Sequence, residues 1–131
     1  MSMNGCMNGD SWYTEEIKNS HYTFRKLSTV IAPSEKYVFL DEHPDAIDDG
    51  YHLVFVNRVN QWANMPANYH NGAAGFSFAD GHAEVHKWRD PVTLSKTIVS
   101  GDRSAPNDVP WIQIRTTEPL KATITWPPTA N

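Results

Sequence analysis

The chain contains a single cysteine, Cys6, among its 131 residues. An internal disulfide is therefore excluded, and so is a structural zinc site built on several cysteines. The plain reading of Cys6, in a small polar stretch, is an inert thiol rather than a nucleophile. Long apolar runs are missing too. Nothing approaches the ~18 consecutive apolar residues of a membrane span, and no basic region followed by an apolar one opens the sequence. Positive charge is scarce: Lys and Arg number 11 against 15 Asp and Glu, for a formal net charge of −4. With no Lys/Arg cluster and no basic stripe interleaved with aromatics, nucleic acid is excluded as a partner and an anionic membrane surface is disfavoured. No glycine-rich phosphate cradle occurs. The nearest approach to a serine elbow, Gly75-Phe76-Ser77-Phe78-Ala79, lacks its final glycine and any following helix.

What is present is an ordinary globular composition, 40% hydrophobic and 11% aromatic, enough for one domain with a modest core. The clearest local pattern runs from Tyr69 to Trp88. Phe76 and Phe78 alternate with Ser77 and Ala79, Asp80-Gly81 signals a two-residue type I′ turn, and a second strand follows. Alternation puts Ala83, Val85 and Lys87 on one face of that strand and His82, Glu84 and His86 on the other, with Ala83 and Val85 facing in and the polar residues out.

Along the rest of the chain, residues 1–11 read as turns or loop. Ser11 is placed to cap a short helix over Trp12 to Lys18, with Thr14 and Glu15 in its first turn. Phe24, Leu27, Val30 and Ile31 have the spacing of a helical face, although their β-branched character leaves an extended form open. Lys36 to Asp41 reads as a central strand covered on both faces, and Tyr51 to Val59 as a further strand. Gln61 to Asn68 is a loop with aromatic anchors. Pro91 to Asn107 is an exposed connection, and Trp111 to Arg115 a last strand. Thr123 to Thr125 suit an edge strand in an otherwise loose tail.

Several of these stretches carry a family resemblance. His70 is followed by nine residues and then Asp80-Gly81, with an aromatic strand before the pair and Gly-His across it. Ser2-Met3-Asn4-Gly5, Tyr37-Val-Phe-Leu-Asp-Glu-His-Pro-Asp45 and Lys87-Trp-Arg-Asp90 stand in the matching order. Together they resemble the C-terminal portion of bacterial prepilin-like proteins, the pseudopilins related to type II secretion and type IV pili. The resemblance spans residues 1–117 and leaves 118–131 outside. It implies an α+β pilin-like domain, an antiparallel sheet of about four strands with long loops, here without the usual N-terminal spine helix. It further implies a structural head that contacts other pilin-like subunits or itself. Family members are anchored in the inner membrane with the head in the periplasm or at the cell surface, and this chain alone is expected to be soluble. A sheet without its covering helix should expose an apolar face.

Three constellations are candidates for chemistry. Asp41, Glu42, Asp45, Asp48 and Asp49 lie within nine positions; they suit either a solvated acidic turn or the oxygen-rich site of a hard cation such as Ca²⁺. The spacing is not that of an EF-hand. His82, Glu84 and His86 share a strand face that suits Zn²⁺ with help from His70 or His43, or simply the polar side of a half-exposed strand. His70 and Asp80 suit a general acid–base pair, or a loop anchor and a turn residue. The rival to the structural role is accordingly a small metal-dependent hydrolase of an ester or lactone, with His70, Asp80 and His82 at its centre and a small molecule as substrate. Trp62, Tyr69 and Trp88 would suit a carbohydrate platform, although core packing is the commoner use of such residues.

Overall fold

A computed structural model describes residues 1–9 and 11–130. The elements run β1 (Ser2–Asn4), α1 (Trp12–Ile17), β2 (Tyr37–Leu40), β3 (Tyr51–His52), β4 (Ala73–Phe78), β5 (Ala83–Lys87), α2 (Pro91–Leu94) and α3 (Asp108–Thr116), with one 3-10 turn at Leu27–Thr29. Five strands form a single sheet in the order β3-β1-β2-β4-β5. The fold class is α+β, as expected. The sheet, however, is mixed: β1 and β3 run parallel, and the other neighbours antiparallel. No helix among the described residues is long and apolar enough to cross a membrane.

The N-terminal segment is the largest departure from the sequence reading. Expected as loop, it supplies β1, which lies inside the sheet between β2 and β3. Asn4 explains its hold. Its side-chain Nδ2 donates to the Tyr37 and Thr116 carbonyls, both at 2.9 Å, while its Oδ1 accepts from Cys6 N–H at 3.0 Å. A buried amide with these partners substitutes for the apolar side chains that pattern reading requires. Cys6 itself is buried, and burial pushes its thiol up to about 12, which leaves it unreactive.

Short α1 forms as expected. Ser11 accepts from Thr14 N–H at 3.2 Å and Thr14 Oγ1 accepts from Ser11 N–H at 3.0 Å, a reciprocal cap. The expected helix around Thr23–Ile31 reduces to the single 3-10 turn. Leu27 and Ile31 are exposed, so only Phe24 of that spacing reaches the core. The expected long strand from Tyr51 to Val59 is two residues of β3 followed by an extended loop.

The expected last strand, Trp111 to Arg115, is part of helix α3. Besides Asp108 in its first turn, its buried residues are Val109, Ile112, Gln113 and Thr116, the i, i+3, i+4, i+7 set of a helix. Two of the four are polar, which masks that period in a hydrophobicity pattern. The connection before it is not wholly exposed either: Thr93 and Ala105 are fully buried. The tail returns to the body, where Glu118 pairs with the fully buried Lys36 at 2.8 Å and Pro119 bridges to His21. Residues 123–125 form no strand.

β2 is central but covered on one side only. A register shift between Tyr37 and Phe39 sends both Tyr37 and Leu40 inward, each fully buried, and leaves Phe39 40% exposed on the other face. The inner face of β4 carries Phe76 and Phe78. Across it, Trp111 of α3 stands edge-on to Phe76 at 5.3 Å, and Trp88 stands edge-on to Trp62 at 5.7 Å.

Candidate functional site

The β4–β5 hairpin forms where expected, with a different turn. Phe78 and His82 close it through Phe78 N–H to His82 C=O at 2.9 Å, and Gly81 N–H donates to Phe78 C=O at 3.0 Å. The loop is therefore three residues, Ala79 to Gly81, and only Gly81 has positive φ, at 95°. This is a tight turn followed by a left-handed glycine, in place of a type I′ turn. Asp80 stabilises it by accepting His82 N–H at 3.1 Å.

The strand faces are the reverse of the simple polar-out reading. Phe76 pairs with Glu84 and Ala74 with His86, so Glu84 and His86 lie on the inner face. His86 stacks on Trp111 with centroids 3.4 Å apart, and burial together with the Arg115 and Arg89 charges lowers its pKa to about 4. Val85, on the outer face, is 70% exposed. β5 is the sheet edge, where α3 shields one face and nothing among the described residues covers the other.

The histidines and carboxylates therefore sort into separate pairs. His70 does not meet Asp80. Its Nε2 lies 3.5 Å from Asp41 Oδ2, and that same oxygen accepts Gly75 N–H at 3.3 Å. A Cβ on Gly75 would come within 2.9 Å of this carboxylate oxygen, so any larger residue there would have to displace the Asp41 side chain. Asp80 instead bonds His82 Nδ1, and His82 Nε2 is 3.6 Å from Glu84. The two carboxylates raise the His82 pKa, with the Asp80 hydrogen bond as the main cause. Both ring nitrogens of His82 are thus already turned to carboxylates. His86 is turned into its stack with Trp111, so the predicted zinc face does not converge. His43 is buried, and its Nδ1 accepts Asp45 N–H at 3.2 Å. Among the described residues no hydroxyl or thiol donates to His70.

The five acidic residues also diverge. Asp41 faces His70, and Asp45 lies in the turn beside His43. Asp49 Oδ1 accepts Tyr51 N–H at 2.7 Å. Among the described residues no three His, Cys, Asp or Glu side chains gather into a group that could hold a metal ion. Glu42 is the exception to ordinary solvation. It is 2% exposed, and neither carboxylate oxygen has a hydrogen-bond partner. Desolvation pushes its pKa up to about 7, with the Asp48 and Asp49 charges adding to the rise and the neighbouring Ser2 hydroxyl, which falls short of hydrogen-bond geometry, opposing it. Pattern reading placed Glu42 in the loop correctly. It gave no sign that this one carboxylate would be buried.

The conspicuous residues of Lys87 to Asp90 serve the fold. Trp88 Nε1 donates to Ala67 C=O at 2.8 Å. Asp90 accepts the N–H groups of Asn107 and Asp108 at 2.8 Å each, while Asp108 accepts the N–H groups of Arg89 and Asp90 at 2.9 Å each. Two buried carboxylates thus tie the end of β5 to the first turn of α3. Of the suggested carbohydrate platform, Trp62 and Trp88 are core residues at 3% exposure, and Tyr69 alone is exposed. Comparison of the chain with protein-family models, with curated proteins and with solved structures finds no match.

Proposed function

We propose that this domain is the structural head of a pseudopilin-like filament subunit, with the outer face of its sheet as the docking surface for an apolar helix. The observation that carries this reading is the bare face itself. Phe39 is 40%, Val85 70% and Met1 77% exposed there. Together with Gly75, Phe76, Ser77 and Ala83, and with Asp41 and Glu84 also in its lining, they form a shallow groove of about 320 Å³. The outer face of an antiparallel sheet in water ordinarily alternates to polar residues. Small side chains flanked by apolar ones instead permit close approach of a second layer.

In this reading a divalent cation, Ca²⁺ before Zn²⁺, binds at the acidic loop through Glu42, with backbone carbonyls and water completing its shell because no three acidic side chains among the described residues converge there. The support is a buried carboxylate without a hydrogen bond, a costly arrangement that a hard cation would relieve.

The test has two arms. In the gene, an apolar helix should be encoded in frame ahead of this domain, and its absence would sink the reading. In solution, the isolated domain should self-associate through the bare face in sedimentation analysis. Val85→Lys should make it monomeric with its melting temperature unchanged, since Val85 contributes little to the core.

A further inference from the structure

One cleft belongs to neither the hairpin nor the bare face. Its volume is about 610 Å³, and Trp12, Asp48, Asp49, Tyr51, Phe55 and Arg58 are among its lining residues. That size lies within the roughly 300–1,000 Å³ of small-ligand sites.

From Tyr51 to Val56 burial alternates. His52, Val54 and Val56 are buried, and Tyr51, Leu53 and Phe55 are half-buried in the cleft wall. An outward row of this kind usually carries polar residues. Trp12 joins it at 65% exposure, although its neighbour Tyr13 is 1% exposed.

The row is held from behind. Tyr13 OH donates to Asn57 Oδ1 at 2.8 Å and accepts Val56 N–H at 2.6 Å, and the Tyr13 ring stands edge-on to Phe55 at 5.6 Å. From α3, Gln113 Nε2 donates to the Phe55 carbonyl at 2.7 Å and to the Arg58 carbonyl at 2.8 Å. The Arg58 guanidinium lies 3.8 Å over the Phe55 ring and has no ion-pair partner among the described residues. Such a surface is pre-ordered, so a ligand need not supply the free energy of arranging it.

The polar groups in the wall are planar and only partly used. Asn64 Oδ1 accepts Leu53 N–H at 2.9 Å, which leaves its Nδ2 as a donor. Gln61 Nε2 donates to Asp102 at 3.2 Å, which leaves its Oε1 as an acceptor. Asp48 and Asp49 add acceptors, and Arg58 adds donors.

Aromatic faces beside planar donors and acceptors match a sugar ring. Its C–H face lies against the electron-rich aromatic face, and its hydroxyls reach carboxylate, amide and guanidinium groups at the edge. Other ligand classes fit less well. A wholly apolar ligand would strip water from the carboxylates and Arg58 without compensation. An anionic one would meet Asp48 and Asp49 on a chain of net charge −4, and a cationic one would meet Arg58. We infer that this cleft binds a neutral glycan, with Trp12 and Tyr51 as stacking surfaces, Phe55 as the support of Arg58, and Asp48, Arg58 and Asn64 as hydroxyl partners.

Calorimetric titration of the purified chain with cellohexaose, chitohexaose, maltohexaose and mannohexaose tests the assignment. At least one should give saturable heat with a shift in tryptophan emission. Trp12→Ala should weaken that binding at least about tenfold, the effect of removing a central aromatic anchor, with an unchanged melting temperature because Trp12 is mostly exposed. Arg58→Ala should weaken it less, and Val85→Lys, on the outer sheet face, should leave it unaltered. No saturable heat with any of the four would overturn the inference, and so would binding that survives both Trp12→Ala and Phe55→Ala.

Discussion

Between Tyr69 and Asp90 every buried side-chain nitrogen and oxygen has a hydrogen-bond partner; between Glu42 and His52 both Glu42 oxygens and the His52 Nε2 have none. The first region is the one rich in motif. Its glycines, tryptophan and aspartates are engaged in turns, strand pairing and helix capping. The second reads from sequence as an unremarkable acidic loop and a short strand; it leaves Glu42 and His52 with unsatisfied polar atoms, while its Asp48, Asp49 and Tyr51 line a cleft. A dense motif marks a demanding piece of folding, while groups buried at a cost and left unpaired mark where something else can bind.

The contrast is open to direct challenge, beginning where the effect should be greatest. Asp90→Ala removes the acceptor of the Asn107 and Asp108 N–H groups and leaves the buried Asp108 N–H unpaired. It should cost about 3 kcal/mol in urea unfolding. A loss under about 1 kcal/mol would mean that water replaces the carboxylate and that the hairpin end is less finished than it looks. Gly75→Ala comes next, at about 2 kcal/mol, because its Cβ must displace the Asp41 carboxylate. Gly81→Ala should cost about 1 kcal/mol: the space is open and only the positive φ of 95° opposes it. If the two glycine variants rank the other way, close approach of Asp41 is not what requires Gly75.

The pH dependence is the most informative about the acidic loop. Burial raises the Glu42 pKa from 4.5 to about 7. Between those values the folded protein holds a proton that the unfolded chain releases. This contribution to stability is therefore full below about pH 4.5 and lost as pH rises through about 7. His52 acts in the opposite sense. Burial lowers its pKa from 6.5 to about 3, so the unfolded chain binds the extra proton, and stability falls as pH drops below about 6.5. Glu42→Gln should remove the loss of melting temperature that Glu42 causes between about pH 4.5 and 7, and leave the fall below about pH 4.5 unchanged. Added CaCl₂ should raise the melting temperature of the parent at pH 8 and do nothing for Glu42→Gln. An equal response from both proteins would remove Glu42 from the cation reading.

Much of the local structure is legible in the residues. The Ser11 cap, the position of the β4–β5 turn and the strand at Tyr37–Leu40 all follow from short-range preferences of a few neighbours. The partners of functional groups are another matter. His70 and Asp41 are 29 positions apart in the sequence, and they meet because β2 and β4 are neighbours. Pairing His70 with Asp80 treats nearness along the hairpin as nearness in space. The helical period of α3 is hidden because Gln113 and Thr116 are buried as hydrogen-bonding residues.

By itself, then, the sequence determined where the chain turns, that it has no disulfide, and that it carries more acid than base, since these depend on single residues or adjacent ones. Only the tertiary structure decided that β1 is an interior strand, that Val85 faces outward while His86 stacks inside, that Glu42 loses its water, and that Trp12 and Phe55 share a cleft. Each of these is set by which surfaces meet when distant segments pack, and burial, unlike a turn preference, belongs to no residue until its neighbours are in place.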